Sequence, residues 1–250
     1  MIRTRSGRTL ALAALAAAAQ ACGGAGSGPP PASEVVRRYE EAIGGRAAGE
    51  RFPSRHLTAE MSIPAQGTRM EMEVWTLHPD RVLARTVTNG TTITSGFDGT
   101  IAWAIAGDEP RILDRATFEQ ALGNAAFDTP ADFAKAFPTM ETVGERTIDG
   151  RACWNVRMVS AAGDEVRNCF DKESGLLVGT AFPARNAPAG SDSTEVVVGG
   201  YREFDGLRLP TRMTTTVGGQ RMITIIKSVS HAPIADSVFA LPASVRAMLR

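Results

Sequence analysis

The sequence predicts a mainly β (α+β) protein: a single curved antiparallel sheet of about 11–12 strands, forming an incomplete barrel with a helical lid or plug. Three observations carry that expectation. From about residue 56 onward, apolar and polar residues alternate with a period of two. Asn-Gly, Asp-Gly and Gly-Gly pairs separate the alternating runs, as tight hairpins require. The 250 residues include 25 Gly, and aromatics make up only 6%, which suits many turns and short strands better than a helical bundle. The length fits one all-β domain. With 43% hydrophobic and 22% charged residues, the chain is neither wholly disordered nor a multispan membrane protein.

Residues 1–21 read as a signal peptide. Arg3, Arg5 and Arg8 precede an apolar run from Thr9 to Ala19, too short to cross a bilayer as a helix. Ala19-Gln20-Ala21 fits ordinary small-x-small cleavage, and Ala19-Gln20-Ala21-Cys22 also fits a bacterial lipobox. Cys22 is therefore a candidate lipidation site, with ordinary secretion as the alternative. Residues 22–32 are a Gly/Pro-rich tether, flexible and then stiffened by Pro29 to Pro31. Residues 33–250 form the folded domain. The formal net charge is +0, from 27 Lys+Arg and 27 Asp+Glu. Loss of Arg3, Arg5 and Arg8 leaves 24 basic against 27 acidic residues, a formal charge of about −3. That balance argues against a nucleic-acid partner.

Within the domain, Ser33 is the expected N-cap of a helix whose stripe is Val35, Val36, Tyr39, Ala42 and Ile43, stopped by Gly44-Gly45. Met70, Met72 and Val74 alternate with Glu71 and Glu73 as a half-buried strand. Val82 to Val87 follows the turn His78-Pro79-Asp80. Asn89-Gly90 leads to Thr91–Phe97, and Asp98-Gly99 leads to Thr100–Ile105 with Trp103. Residues 114–138 break the pattern and read as two short helices, the second starting near Pro130. Strands resume near Val143, with hairpin turns at Asp149-Gly150, Asp205-Gly206 and Gly218-Gly219. Glu195–Phe204 and Leu207–Val217 each read as one strand, and Ala243–Leu249 as a final short helix.

Cys153 and Cys169 fall on the polar face of one hairpin. Pairing Trp154 with Phe170 sets the two Cys diagonal to each other. They read either as a cross-strand disulfide or as two free thiols on neighbouring strands. The opposite, apolar face is predicted to carry Met70, Met72, Val74, Trp103, Trp154, Val156, Met158 and Met213. Methionine is flexible and polarisable, so this face suits either a packed core or a cavity for variable apolar ligands.

The order of short signals resembles a known group. Val-Val-Arg-Arg-Tyr-Glu-Glu-Ala-Ile-Gly-Gly (35–45), Phe-Asp-Gly-Thr-Ile-Ala-Trp (97–103), Ile-Asp-Gly-Arg (148–151), Cys-Phe-Asp-Lys-Glu-Ser-Gly-Leu-Leu-Val (169–178), Tyr-Arg-Glu-Phe-Asp-Gly-Leu-Arg-Leu-Pro (201–210) and Phe-Ala-Leu-Pro (239–242) occur in that sequence. Together they resemble the LolA/LolB-like outer-membrane lipoprotein-sorting superfamily. The resemblance implies a half-barrel with a helical lid, and a cavity that takes a lipid or the acyl chain of a lipoprotein. It implies a carrier or receptor in the bacterial cell envelope, membrane-bound through a lipid anchor and more on the outer than the inner membrane. The alternative within the same fold is an envelope sensor or adaptor that docks a protein partner.

Chemistry is sparse. His56, His78 and His231 have no His or Cys at metal-ligand spacing, and they read as turn or surface residues. No nucleophile elbow or phosphate loop occurs. Glu71 and Glu73 share a strand face, which reads as solvated. The expectation is a monomer that is not an enzyme, with no catalytic residue, metal or cofactor.

Overall fold

The computed structural model describes residues 28–45, 51–115, 118, 133–161, 163–183 and 193–249. The expected signal peptide, Cys22, the expected tether up to residue 27, most of the first helix expected after residue 114 and residues 184–192 lie outside the described residues.

Helix α1 spans Ala32–Ala42 and is capped by Pro31, not Ser33. The Pro31 carbonyl accepts from the Glu34 and Val35 amides at 3.0 and 3.2 Å, and Ser33 lies exposed in the first turn. Proline's fixed φ suits the entry to a helix, and no side chain caps the first turn. The predicted stripe is correct: Val35, Val36 and Tyr39 are buried, as is Ala32.

The strands are β1 (Ser54–Ile63), β2 (Thr68–Leu77), β3 (Arg81–Thr88), β4 (Thr91–Phe97), β5 (Ala102–Ala106), β6 (Glu109–Leu113), β7 (Thr139–Ile148) and β8 (Arg151–Val159). They continue with β9 (Glu165–Asp171), β10 (Leu177–Pro183), β11 (Ser193–Gly199), β12 (Arg202–Phe204), β13 (Leu207–Leu209), β14 (Arg212–Val217) and β15 (Gln220–Ser230). Two further short helices are α2 (Phe133–Ala136), before β7, and α3 (Ala243–Ala247), after β15.

Thirteen strands make one curved antiparallel sheet in the order β6-β5-β4-β3-β2-β1-β15-β14-β11-β10-β9-β8-β7. β6 and β7 are its two edges and do not pair, so the barrel stays incomplete. The hairpin signals have the expected backbone. Asn89-Gly90, Asp149-Gly150, Asp205-Gly206 and Gly218-Gly219 all have positive φ at both positions, the type I′ requirement.

The strand count exceeds the predicted 11–12 for two reasons. β6, Glu-Pro-Arg-Ile-Leu, carries a proline and two charges and gives no alternation signal; it is tolerated because it is an edge. The two long predicted strands are each broken. Gly200 has φ +64 and Pro210 lacks an amide, so residues 202–209 leave the main sheet as the separate hairpin β12–β13, and β11 pairs directly with β14. The Thr211 hydroxyl donates to the Gly200 carbonyl and closes that exit.

Because β6 and β7 are opposite edges, residues 114–138 link the two sides of the sheet. Phe118 packs with Phe97 and Ala102 at the β6 side. Phe133 of α2 packs with α1, Val156, Met158 and Phe170 at the β7 side. Both contacts are on the same sheet face, which we term the inner face.

α1 is docked by the turn after β9. Arg38 donates to the Lys172 and Glu173 carbonyls at 3.2 and 3.4 Å. Asp171 builds that turn: its carboxylate accepts from the Ser174 amide at 2.7 Å, the Ser174 hydroxyl at 2.8 Å and the Glu173 amide at 3.2 Å. Burial favours the neutral acid, but the Ser174 and Glu173 donors outweigh it and hold the carboxyl below its ordinary value. A depressed folded pKa stabilises above the unfolded value and is lost as pH falls through the folded one. Asp171→Ala should therefore cost about 2 kcal/mol at pH 7, a typical worth for charge-assisted bonds. Thermal melts across pH should show the gap between wild type and variant closing below about pH 4. A gap that stays constant down to pH 2 would contradict the assignment.

Candidate functional site: the inner face of the open sheet

The inner face is set by register. Leu57 of β1 pairs with Val74 of β2, which pairs with Ala84 of β3. One row along, Ile226, Ala59 and Met72 align across β15, β1 and β2. The next row is Met213, Thr224, Met61 and Met70, across β14, β15, β1 and β2. Met222 follows on β15, opposite Thr215 and on the same face as Thr224. Leu57, Ala59, Met72, Val74, Ala84, Val196, Val198, Met213 and Ile226 form one buried cluster, with Met61, Phe182, Tyr201 and Val229 packed on it. Moving along the strands, burial falls: Met61, Met70 and Met222 are half-buried, and Ile93 and Val217 are 39% and 43% exposed on this same face. Apolar residues thus extend from a dry core to a solvent-facing rim, interspersed with uncharged Thr215 and Thr224.

A second inner-face cluster joins α1 to β8 and β9 through Val156, Met158 and Phe170, with Trp154 half-buried beside it. The ammonium of Lys172 lies 4.1 Å from the Trp154 ring centroid and 2.7 Å from Glu145, so one wall of this cluster is a cation–π contact closed by an ion pair. Between the two clusters stand Tyr39 and Tyr201. The Tyr201 hydroxyl donates to the Leu177 carbonyl at 2.9 Å, and the two phenols are hydrogen-bonded to each other. Burial, then the neighbouring Tyr39, pushes the Tyr201 phenol well above its ordinary value. It stays neutral, and this face carries a polar contact without a charge there.

Seven of the eight residues predicted for the apolar face lie on the inner face: Met70, Met72, Val74 and Met213 in the first region, and Trp154, Val156 and Met158 in the second. Trp103 does not. It pairs with Gly96, whereas Phe97 and Ala102 pair on the inner side, so Trp103 points outward. It is nevertheless 2% exposed, and a Cβ on Gly96 would come within 2.6 Å of its indole. The strand Ala-Trp-Ala-Ile-Ala has no polar phase from which its faces could be told apart. Leu57, Ala59, Ala84, Val196, Val198 and Ile226 were not singled out from sequence, although the period-two pattern of their strands contains them.

Cys153 and Cys169 form a disulfide, with Cα atoms 5.4 Å apart. Trp154 pairs with Phe170, and Cys153 and Cys169 are diagonal. The face is not polar at that point. The two Cys are 0% and 2% exposed and pack with Val178 and Ile148. The far end of the β7–β8 hairpin bends back over the outer face there: Ile148 Cδ1 fills the space above Gly179, and Arg146 reaches Glu195 at 3.4 Å.

The outer face is otherwise charged. A cleft of about 170 Å³ beside Cys169 and Gly179 is flanked by Arg146, Arg167 and Glu195. A second, about 260 Å³, runs over Glu60, Glu71, Glu73, Arg85 and Lys227. Glu71 and Glu73 lie here, on the outer face as predicted. His56 stacks on Trp75 at 4.8 Å and meets Glu73 at 2.9 Å. His231 is not a surface residue: its side chain is 4% exposed, stacked on Phe52 and 2.9 Å from Asp205. Among the described residues, no group of three His, Cys, Asp or Glu is placed to hold a metal ion, and no helix is long and apolar enough to cross a membrane.

No family model matches the chain, and no curated protein does. Solved structures do. A DUF1329 family protein from Desulfovibrio piger superposes with a TM-score of 0.58 at 13% identity, covering 85% of this chain and 98% of its own. A LolA superfamily protein from Nitrosomonas europaea gives 0.56 at 11% identity, covering 85% and 99%. A domain from Vibrio parahaemolyticus, named for outer-membrane lipoprotein sorting, gives 0.52 at 11% identity, covering 82% and 94%. At these identities the likeness is one of fold, and it extends over nearly the full length of each neighbour. The open thirteen-stranded sheet, with α1 and α2 on its inner face, is a LolA-like fold.

Proposed function

We propose that this protein is a non-enzymatic component of the bacterial cell envelope that holds a lipid, or the acyl chain of a lipoprotein, against the inner face of its open sheet. The observation that carries the reading is the apolar surface that continues from buried Leu57, Met72 and Val74 to half-buried Met61, Met70 and Met222 and exposed Val217. A core that served stability alone would not need to reach the rim in flexible methionines, which adapt to ligands of variable shape. The fold neighbour named for lipoprotein sorting supports an acylated cargo, and Cys22 supplies a membrane anchor facing the periplasm. On this reading the protein is a monomeric carrier or receptor, without metal or cofactor.

The energetics are adequate. An acyl chain that buries about ten methylenes gains roughly 8 kcal/mol, which corresponds to a Kd near 1 μM before ordering costs. The mature chain carrying Cys22→Ser, which blocks acylation, should copurify with lipid detectable by mass spectrometry and bind a fluorescent fatty acid at 1:1. Met70→Lys, at the half-buried rim, should weaken that binding at least tenfold, about 1.4 kcal/mol. A lipid-free protein with no saturable fatty-acid binding would refute the reading, and a stoichiometric envelope protein captured in place of lipid would replace it with a docking role.

A further inference from the structure

Six of the seven methionines on the inner face fall into two sets by burial and register; the seventh, Met140, is half-buried beside Met158 on the edge strand β7, away from Met61, Met70 and Met222. Met72 and Met213 are 7% exposed and Met158 is 0% exposed. Met61, Met70 and Met222 are half-buried and adjacent: Met61 pairs directly with Met70, and Met222 sits one row further along the neighbouring strand β15. The groups that pair with them on this face are Thr88, Thr215 and Thr224, with Ile63 and Thr68 in the next row. No carboxylate or cation shares these positions. Three half-buried methionines thus stand together on an uncharged rim.

We infer that Met61, Met70 and Met222 form an oxidant-modified site, at which conversion to methionine sulfoxide switches the inner face from apolar to polar. This rests on the binding role proposed above for its consequence, though not for its chemistry. The oxidant class is a hypohalous acid or a peroxide. With hypochlorous acid, the sulfur lone pair takes up the oxygen, a new S–O bond forms and the O–Cl bond breaks. Sulfur loses two electrons, chlorine is reduced to chloride, and the proton goes to water. The product is a strong hydrogen-bond acceptor on a flexible stem, and methionine-rich apolar contacts are disrupted by it. Because the three side chains are neighbours, each sulfoxide adds to the polarity of one patch rather than being diluted over the surface. The modification is reversible by a dithiol reductant, which is oxidised to a disulfide as the sulfoxide oxygen leaves as water, so it can act as a switch and not only as damage.

Met248 provides an internal reference. It is 48% exposed and lies outside the inner face, just after α3. The test is titration of the Cys22→Ser mature chain with hypochlorous acid, reading each methionine by peptide mass spectrometry and fatty-acid binding in parallel. Met248 should oxidise first, followed by Met61, Met70 and Met222, while Met72, Met158 and Met213 stay reduced until the fold is lost. Binding should fall at least tenfold in step with Met61, Met70 and Met222 and not with Met248. The variant Met61→Leu/Met70→Leu/Met222→Leu, which conserves volume, should show less than a twofold change between its own affinities before and after oxidant, whatever affinity it starts from. Uniform oxidation of all inner-face methionines, or loss of binding in the triple-Leu variant to the wild-type degree, overturns the inference. If unoxidised protein binds no fatty acid, the functional reading fails, and the site-resolved order alone then decides the modification site.

Discussion

Replacement of both cysteines, Cys153→Ala/Cys169→Ala, is expected to lower the melting temperature by roughly 6–12 °C. The disulfide closes a loop with a sequence separation of 16, and constraining a loop of that size is worth about 3 kcal/mol. For a domain of this length, each kcal/mol shifts the midpoint by roughly 2–4 °C. Local packing points the same way. The sulfurs sit in a small dry cluster with Val178 and Ile148, beneath the hairpin end that bends back over the outer face. Without the bridge, the contacts of Ile148 over Gly179 and of Arg146 with Glu195 have only side-chain packing to hold them. Since the two Cys are 0% and 2% exposed, native protein should resist a mild reductant, and reduction should require prior unfolding. Protein refolded under reducing conditions should then melt with the double variant. Calorimetry checks this directly, and a shift under about 2 °C would show that the hairpin end is held by packing alone.

That bridge also shows what was legible in the chain. Alternation put the two Cys on one face, and Trp154, Val156, Met158 and Phe170 on the other; it did not set the register, and of the possible pairings the structure has Trp154 opposite Phe170, with the two Cys diagonal. Alternation reports face only where polar and apolar residues take turns. It failed at Trp103, whose strand is wholly apolar and whose orientation is fixed by Gly96 on the neighbouring strand. It misled at Leu207–Val217, where the period continues through Pro210 although the chain leaves one sheet and enters another. It was silent at β6, an edge strand with proline and charges. Turn residues were the most dependable signal, because a positive φ at two successive positions is a local steric demand that distant packing does not alter. The inner face was legible as a list of seven residues but not as a surface. Its extent depends on the order in which non-adjacent strands meet, above all β1 with β15 and β11 with β14, and no local pattern encodes that order.

Tyr39→Ala should cost about 3–5 kcal/mol, of the order of losing a buried aromatic ring, and lower the melting temperature by roughly 6–20 °C. Tyr39 is 1% exposed. Its ring lies 5.7 Å from Phe133 and 5.2 Å from Phe170, and so joins α1, the 114–138 link and β9 in one contact. Tyr39→Phe separates the two parts of its role. The ring and its packing remain, and only the bond to Tyr201 is lost, at about 1 kcal/mol. Since the Tyr201 phenol is held neutral by burial, that difference should not change between pH 6 and pH 9. The pair of variants also decides what α1 is. The backbone of Arg208 donates to the Ile43 carbonyl at 2.9 Å, Arg38 ties the middle of the helix to the turn after β9, and Ala32, Val35 and Val36 are buried in its first half, so α1 is held along its length. A helix so held is a wall of the site, and any opening must come from another segment. If α1 were instead a lid, Tyr39→Ala would leave the global melt within about 1 kcal/mol of wild type, and hydrogen exchange would rise in residues 32–42 alone. If it is a wall, exchange rises across β8 and β9 as well, because Val156, Met158 and Phe170 lose the surface they pack against.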